Sequence, residues 1–352
     1  MRRVIAVILA GLFLAPAAPA RSAERREQST RVVDAAGLKG LRVDNPGGRI
    51  AIGPSADGRI HLTALKIVRG SGARAERFAR ETEVRTSTER GTYTVQVRYP
   101  RRQAIRVGLG EILSGVDPPR VEVRLGLEIP PLMPVRLESA SGDLAVEKVR
   151  GPQDLETVSG DIELRSLGGP VRVSCVSGDV EAEDIERLRI DTVSGDVRVR
   201  RARGPVWIRG TSGDVDAGGC ADSLWIESQS GDIEADAAPR GVEARSTSGS
   251  IRIQGAAGRV ALSSSAGDVV VDLVKPLRSA SVSTTSGDIG LRLAPDLACA
   301  LELRTRSGSL AIDVPLKPGQ VTRNAVTGTV RGGRTPVTLE STSGDIHVGG
   351  GP

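Results

Sequence analysis

Aromatic side chains are scarce in this chain of 352 residues, which holds two Trp, two Tyr and two Phe. This scarcity, together with 43 Gly and 20 Pro, favours many short strands and tight turns over packed helices. Few aromatics remain to stack on nucleobases, and the basic residues are interleaved with acidic ones rather than gathered in a stripe. We therefore expect no nucleic-acid partner, although the formal net charge is +5.

Histidine and cysteine are too few for the common catalytic and metal-binding arrangements. His61 and His347 lie near opposite ends, which excludes a Ser–His pair within the repeats described below. The chain has no HExxH, no CxxC and no phosphate-binding glycine loop before a helix. We therefore expect a protein that is not an enzyme and that needs no cofactor and no metal.

The three cysteines, Cys175, Cys220 and Cys299, are an odd number for an exported protein. In a stack of repeats they would lie at least two turns apart, whereas a disulfide needs Cα atoms within roughly 7 Å. We expect no disulfide, and we interpret Cys175 as a small buried apolar residue.

Long apolar runs are also missing, apart from a short one at the N-terminus. Arg2 and Arg3 precede the apolar stretch 4–14, and Ala18-Pro19-Ala20 is typical of a cleavage site. Residues 1–20 are therefore predicted to be a signal peptide. The apolar stretch is too short to cross a bilayer, so we expect no transmembrane segment in the mature chain and a location in the periplasm or at the cell surface.

What the sequence does contain is a tripeptide, Ser-Gly-Asp, that returns about every 18 residues from position 141 to 345. A fixed period of this length predicts a solenoid of stacked repeats. Each tripeptide is predicted to form the corner between two strands of one turn, or rung, because Gly adopts positive φ angles readily. The corner residues are Gly142, Asp143, Gly160, Asp161, Gly178, Asp179, Gly195, Asp196, Gly213, Asp214, Gly231, Asp232, Gly287, Asp288, Gly344 and Asp345. Degenerate copies, among them Ser307-Gly308-Ser309 and Thr327-Gly328-Thr329, are expected to be corners too.

Apolar residues alternate on both sides of each corner, as in Val171 and Val173 before Gly178, and Val197 and Val199 after Gly195. The third residue before each Gly continues the inward face, and it is usually Ser or Thr. The Ser directly before the Gly is expected to point inward as well. Inward hydroxyls that bond one another and the corner backbone would let the interior do without large aromatics.

The Asp of each corner allows two interpretations. A ladder of carboxylates could bind Ca²⁺, but one Asp per rung supplies few of the six or more oxygens that Ca²⁺ takes. Alternatively, each Asp accepts N–H bonds from the backbone of its own corner. We favour the second, because Ser250, Ser309 and Thr329 replace the Asp elsewhere.

Trp207 and Trp225 stand 18 residues apart at outward positions, so they are expected to lie side by side on adjacent rungs. Arg189 would precede them by one rung and Glu243 would follow. One interpretation is a platform for a sugar ring, a peptide or another protein surface. The alternative is local packing under the return segment 218–222.

Residues 24–137 are rich in strands but do not keep the 18-residue period. We interpret them as a cap, with 41–52 as an early or atypical rung, 73–84 as a helix and 101–119 as a loop. Val158, Val176 and Val193 should point outward two residues before their corners. We expect this cap to cover them, since an exposed apolar strip invites association, although a partner could cover them instead.

The motifs Thr157-Val158-Ser159-Gly160-Asp161-Ile162 and Thr285-Ser286-Gly287-Asp288-Ile289 resemble those of the bacterial putative-adhesin family, envelope proteins of unknown function built from β-strand repeats. The resemblance covers roughly residues 40–348. It implies an envelope location and a repeat architecture, and it carries over no catalytic or binding residue.

The sequence thus predicts an all-β, right-handed parallel β-solenoid of about 12 rungs. The predicted domains are the signal peptide (1–20), the strand-rich cap (21–137) and the solenoid (138–352). The predicted function is a non-enzymatic exported envelope protein, an adhesion-like binding or scaffold module, with a carbohydrate-binding or carbohydrate-cleaving β-helix as the alternative. Expected partners are an envelope glycan, another envelope protein, or a second copy that pairs end to end with the last rung.

Overall fold

The computed structural model describes residues 24–70, 73–100, 120–236 and 238–351. The predicted signal peptide and the predicted loop at 101–119 lie outside these residues. The chain is nearly all-β, with 72% strand and 3% helix. It folds into two compact units, residues 1–163 and 164–352, which are described in turn.

The first unit contains one helix and the first eleven strands, of which the last continues into the second unit. They are β1 (Glu24–Val33), β2 (Gly40–Gly47), β3 (Ile50–Pro54), β4 (Ile60–Arg69), α1 (Ala73–Glu81), β5 (Glu83–Glu89), β6 (Thr92–Arg98), β7 (Arg120–Ile129), β8 (Val135–Ser141), β9 (Leu144–Glu147), β10 (Gln153–Ser159) and β11 (Ile162–Ser177). The helix is shorter than predicted: Thr82 closes it with a side-chain bond to the Phe78 carbonyl, and β5 follows at once.

Two kinds of pairing build the first unit. Strands β2, β8 and β10 run parallel in register, with Leu41 beside Val135 and Val135 beside Gln153. Segment 40–54 is therefore a true rung, with its own corner at Gly48. The residues between β3 and β8 pair largely antiparallel, β4 with β1 and β7, and β5 with β6.

The second unit contains the remaining strands. They are β12 (Val180–Ser194), β13 (Val197–Ala202), β14 (Val206–Ser212), β15 (Val215–Gly218), β16 (Leu224–Ser230), β17 (Ile233–Asp236), β18 (Gly241–Ser248), β19 (Ile251–Ala266), β20 (Val269–Ser286), β21 (Ile289–Leu293), β22 (Cys299–Ser307), β23 (Leu310–Ile312), β24 (Leu316–Val321), β25 (Ala325–Val330), β26 (Thr335–Ser343) and β27 (Ile346–Gly350).

From β12 to β21 the rungs stack in parallel in chain order, which confirms the predicted solenoid. Val206 lies beside Leu224, Leu224 beside Val242, and Val242 beside Val260. These inward side chains are at most 2% exposed. The count of about twelve rungs stays a prediction.

Stacked corners approach one another so closely that only Gly fits. A Cβ on Gly213, whose φ is 112°, would lie 2.7 Å from the carbonyl carbon of Gly195 and closer still to its oxygen. Hydroxyls three residues before the Gly line the interior of the corner, as predicted. Thr284 and Ser264 each donate to the carbonyl of the neighbouring corner Gly, at 3.4 and 3.3 Å. The Ser directly before the Gly is exposed in most rungs, so its predicted inward orientation is wrong. The chain turns at this residue, and the inward face has already ended.

The predicted order of the last rungs is also wrong. Strand β26 lies between β20 and β22, with Ser343 beside both Ser286 and Ser307. Gly328 is not at a corner, because β25 runs antiparallel to β22 and places Gly328 beside Leu301. The strands expected at the open end, β26 and β27, are each paired on both sides, which removes the premise of the predicted end-to-end pairing.

Candidate functional site

The two tryptophans lie side by side on the outward face of the second unit. Trp207 of β14 is in register with Trp225 of β16. The residues on either side of each Trp are buried, since the strands alternate inward and outward side chains. Arg189 of β12 lies beside Trp207, and Glu243 of β18 lies beside Trp225, so the structure brings all four predicted residues into one row.

Trp207 is 39% exposed, and Trp225 is half-buried. The exposure of Trp207 argues against the alternative that segment 218–222 covers the pair. Arg209, which alternates with Trp207 on β14, holds its guanidinium over the Trp225 ring, 5.5 Å from the ring centroid. This contact occupies one face of the Trp225 ring. Both tryptophans still line the cavity described below.

Salt bridges hold most charged side chains around the row. Arg189 bonds Asp191 at 2.9 Å, Arg209 bonds Glu227 at 3.0 Å, and Arg245 bonds Glu243 at 2.6 Å. All six side chains are substantially exposed, so each pair contributes at most about 1 kcal/mol to stability. Their effect is to fix the positions of the charges around the rings.

A cavity of about 260 Å³ opens beside the pair. We call it the tryptophan slot, and its lining includes Trp207, Ser223, Trp225, Arg240, Gly241, Glu243, Arg259 and Ala261. Arg240 turns away to bond Asp222 at 3.2 Å. Sequence reasoning missed Arg209, Arg240, Gly241 and Arg259. The register alone would have placed Arg209 beside Glu227, but no repeat signal marks the other three.

The arrangement suits a ligand with a flat apolar face and a polar edge. Aromatic rings bury the apolar face of such a ligand, while the charged groups at the rim hydrogen-bond its polar groups. A pyranose ring has both properties.

The carboxylates of the corner Asp residues accept hydrogen bonds from backbone N–H groups, as predicted. The donors, however, are not the ones that were predicted. Most of the carboxylates bond the N–H of the next rung in the stack rather than of their own corner: Asp214 accepts from Asp232 N at 2.8 Å, and Asp288 from Asp345 N at 2.8 Å. The N–H of Ser309 lowers the pKa of Asp345 below its usual value in the same way. Among the described residues, no group of three or more His, Cys, Asp or Glu could hold a metal ion.

The outward valines are exposed: Val158 by 54%, and Val176 and Val193 by 47% each. The expectation that the cap covers them is wrong. Residues 24–137 are engaged in pairing within the first unit, as described above, and leave these side chains open to solvent.

A second cavity, of about 830 Å³, lies in the first unit beside Gly47, Gly48 and Tyr99. The Tyr99 hydroxyl donates to the Gly47 carbonyl and accepts from Val123 N at 3.2 Å. Burial raises the pKa of Tyr99 to about 12. The four Arg–carboxylate pairs that involve Arg49, Arg69 and Arg124 balance the charge of its rim, so this cavity carries no clear ligand preference.

Cys175, Cys220 and Cys299 are buried and form no disulfide, in agreement with the prediction. Burial raises the pKa of both Cys220 and Cys299 to about 11, which keeps the thiols neutral. The two histidines each contact one carboxylate, His61 that of Asp57 and His347 that of Asp313.

No helix among the described residues is long and apolar enough to cross a membrane. Comparison with known families gives a match to the model described as Toastrack DUF4097, over residues 55–218 and 206–349. No protein with a curated description matches the chain.

Three solved structures are similar to the chain over most of its length. A putative cell adhesion protein from Clostridium sporogenes is 10% identical, covers 93% of this chain and 100% of its own, and has a TM-score of 0.24. A putative adhesin from Bacteroides fragilis is 16% identical, covers 76% and 96%, and has a TM-score of 0.31. A putative lipid binding protein from Parabacteroides distasonis is 14% identical, covers 91% and 96%, and has a TM-score of 0.35.

Proposed function

Because the chain belongs to the Toastrack DUF4097 family of unknown function, we propose that it is a non-enzymatic exported envelope module that binds its ligand as an adhesin does. The ligand is an envelope glycan, and the contact surface is the row of Arg189, Trp207, Trp225 and Glu243. The observation that carries the proposal is the tryptophan pair, in register on adjacent strands, with Trp207 exposed and Trp225 half-buried.

The strand spacing supports a repeating ligand. Adjacent strands lie about 4.8 Å apart, which is close to the length of one sugar unit in an extended chain. Neighbouring units of a glycan that runs across the strands therefore meet neighbouring side chains of the row. Stacking on Trp supplies the apolar contact, and the rim charges supply hydrogen bonds.

The predicted signal peptide supports export, and the adhesin-like descriptions of similar structures agree with an envelope location. Glycoside hydrolysis uses a pair of carboxyl groups, and the two at the slot, Glu243 and Asp222, are each held in a salt bridge, which supports binding rather than turnover. Release of reducing sugar from any envelope polysaccharide by the purified protein would overturn the non-enzymatic part of the proposal.

The chain's two tryptophans are both in the proposed site, so intrinsic fluorescence reports on it directly. We expect cell-wall glycan fragments to shift or quench the emission, with a matching isotherm by calorimetry. Trp207→Ala/Trp225→Ala should weaken binding at least tenfold, a loss of about 1.4 kcal/mol or more.

Two variants serve as controls. Trp225→Tyr should retain most of the affinity, because an aromatic face remains. Arg252 is the second residue of β19 and does not line the slot, so Arg252→Gln should leave the affinity unchanged. Equal affinity of the double alanine variant and the parent, with both proteins folded by circular dichroism, would overturn the platform.

A further inference from the structure

From Trp207 the tryptophan slot extends over three strand spacings, and the part that begins at Trp225 spans two. Trp225 is in register with Glu243, and Glu243 with Ala261, so β16 and β19 form its two walls and β18 its floor. The walls are about 10 Å apart at 4.8 Å per strand, which is wide enough for one sugar ring. Arg259 stands on the far wall, two residues before Ala261.

Beside Arg259 the floor carries no side chain, because the residue there is Gly241. Gly241 pairs with Arg259, and its φ is 138°. A Cβ there would lie 2.7 Å from the Arg259 carbonyl oxygen. The backbone thus keeps this position free of a side chain between the two walls.

The carboxylates that line or border the slot are already neutralised. Arg245 bonds Glu243 at 2.6 Å, and Arg240 bonds Asp222 at 3.2 Å. Arg259 is exposed and has no hydrogen-bond or ion-pair partner among the described residues. One positive charge is therefore left without a counter-charge at the wall opposite Trp225.

We propose that the tryptophan slot selects an acidic sugar, whose ring stacks on Trp225 and whose carboxylate pairs with Arg259. The planar guanidinium can bond both oxygens of a carboxylate, which a neutral hydroxymethyl group or methyl ester cannot match. This inference rests on the proposed function and specifies its ligand class: a glycan with uronic acid or other carboxylate-bearing units.

The test compares two forms of one polymer, polygalacturonate oligomers and the same oligomers as neutral methyl esters, by calorimetry with the full mature chain. We expect the parent to bind the acidic form about fivefold more tightly, the factor given by about 1 kcal/mol for an exposed pair. Arg259→Gln should lose this preference and retain its affinity for the ester. Salt should weaken binding of the acidic form only.

Arg252→Gln is the matched control, since Arg252 lies on the same strand, is also exposed and does not line the slot. Arg259→Lys should keep part of the preference, because the charge remains without the planar fork. Circular dichroism establishes that each variant is folded.

The outcomes separate this inference from the proposed function. Equal binding of both oligomers, abolished by Trp207→Ala/Trp225→Ala but unaffected by Arg259→Gln, overturns the acidic selection and leaves glycan binding standing. Failure of the parent to bind either oligomer or any cell-wall fragment overturns both. An acidic preference that persists in Arg259→Gln and disappears in Arg252→Gln overturns the assignment of Arg259.

Discussion

The rungs in the middle of the second unit and those at its end have the same kind of corner, but their corners stack in different orders. From Gly178 to Gly267 the corners are 17 or 18 residues apart, and they stack in chain order. At the end, the corner at Gly344 enters between those at Gly287 and Gly308, and its neighbours are 57 and 36 residues away in sequence. The conformation of a corner is thus determined by the local sequence, whereas the order in which corners stack depends on which distant strands pair.

The largest expected effect tests the corner itself. Gly213→Val places side-chain atoms against the Gly195 carbonyl at a φ of 112°, so the corner must open or shift. We expect a loss of roughly 4 kcal/mol or more in the free energy of unfolding, measured by urea denaturation.

Gly290→Ala is its control, because the new Cβ would meet only Val270, at an ordinary 3.6 Å. We expect a change within about 0.5 kcal/mol. If both variants unfold at the same urea concentration, the close approach of stacked corners is not the reason that Gly is required at position 213.

The second prediction tests whether β26, the strand inserted between β20 and β22, is packed as tightly as the strands in the middle of the unit. Leu339 of β26 is fully buried, as is Leu262 of β19 at 2% exposure. Each Leu→Ala variant should lose roughly 2 to 5 kcal/mol through the cavity left behind, by the same urea measurement. A loss below about 1 kcal/mol for Leu339→Ala alone would place β26 at an open edge instead of between two strands.

The third prediction concerns the first unit, where a tyrosine supports the corner at Gly48. Tyr99→Phe removes the bonds to Gly47 and Val123, and we expect a loss of about 1 to 2 kcal/mol. Because the folded-state pKa is raised from 10.0 to about 12, the contribution is present below pH 10 and is lost as the pH rises toward 12. Urea denaturation at pH 9 and pH 11.5 should show this loss in the parent and a smaller one in the variant.

The smallest effect concerns the rungs whose order is broken. The pKa of Asp345 is lowered from 3.8 by the backbone N–H of Ser309, so its contribution is present above pH 3.8 and lost as the pH falls below that value. A carboxyl resonance of Asp345 that titrates at or above 3.8 by NMR would contradict this contact. Asp345→Asn should unfold with a weaker dependence on acid than the parent.

Local sequence patterns predicted much of the fold, and they also predicted the row formed by Arg189, Trp207, Trp225 and Glu243. Alternation assigned the buried faces, as at Val171 and Val173, because a strand has only two sides. The constant spacing put Trp207 beside Trp225 and Arg189 beside Trp207, since equal rungs preserve register.

The rest depended on distances that no local pattern records. Asp214 accepts from the next corner rather than from its own, a contact that exists only once rungs are stacked on one another. The charge distribution around Gly241 and Arg259 in the slot depends on the ion pair between Arg240 and Asp222. The spacings of 21, 20 and 16 residues after Gly287 depart from the period, but they do not show the direction in which the chain returns.

The placement of β26 also has a consequence for biogenesis. A solenoid whose rungs follow chain order can extend as the polypeptide emerges, each new turn docking on the last. Here the surface left by β20 stays without its neighbour until residues 335–343 arrive, long after β22 has been made. Completion of this unit therefore waits for residues 335–343, and until they dock the edge of β20 is an unpaired strand edge open to mispairing.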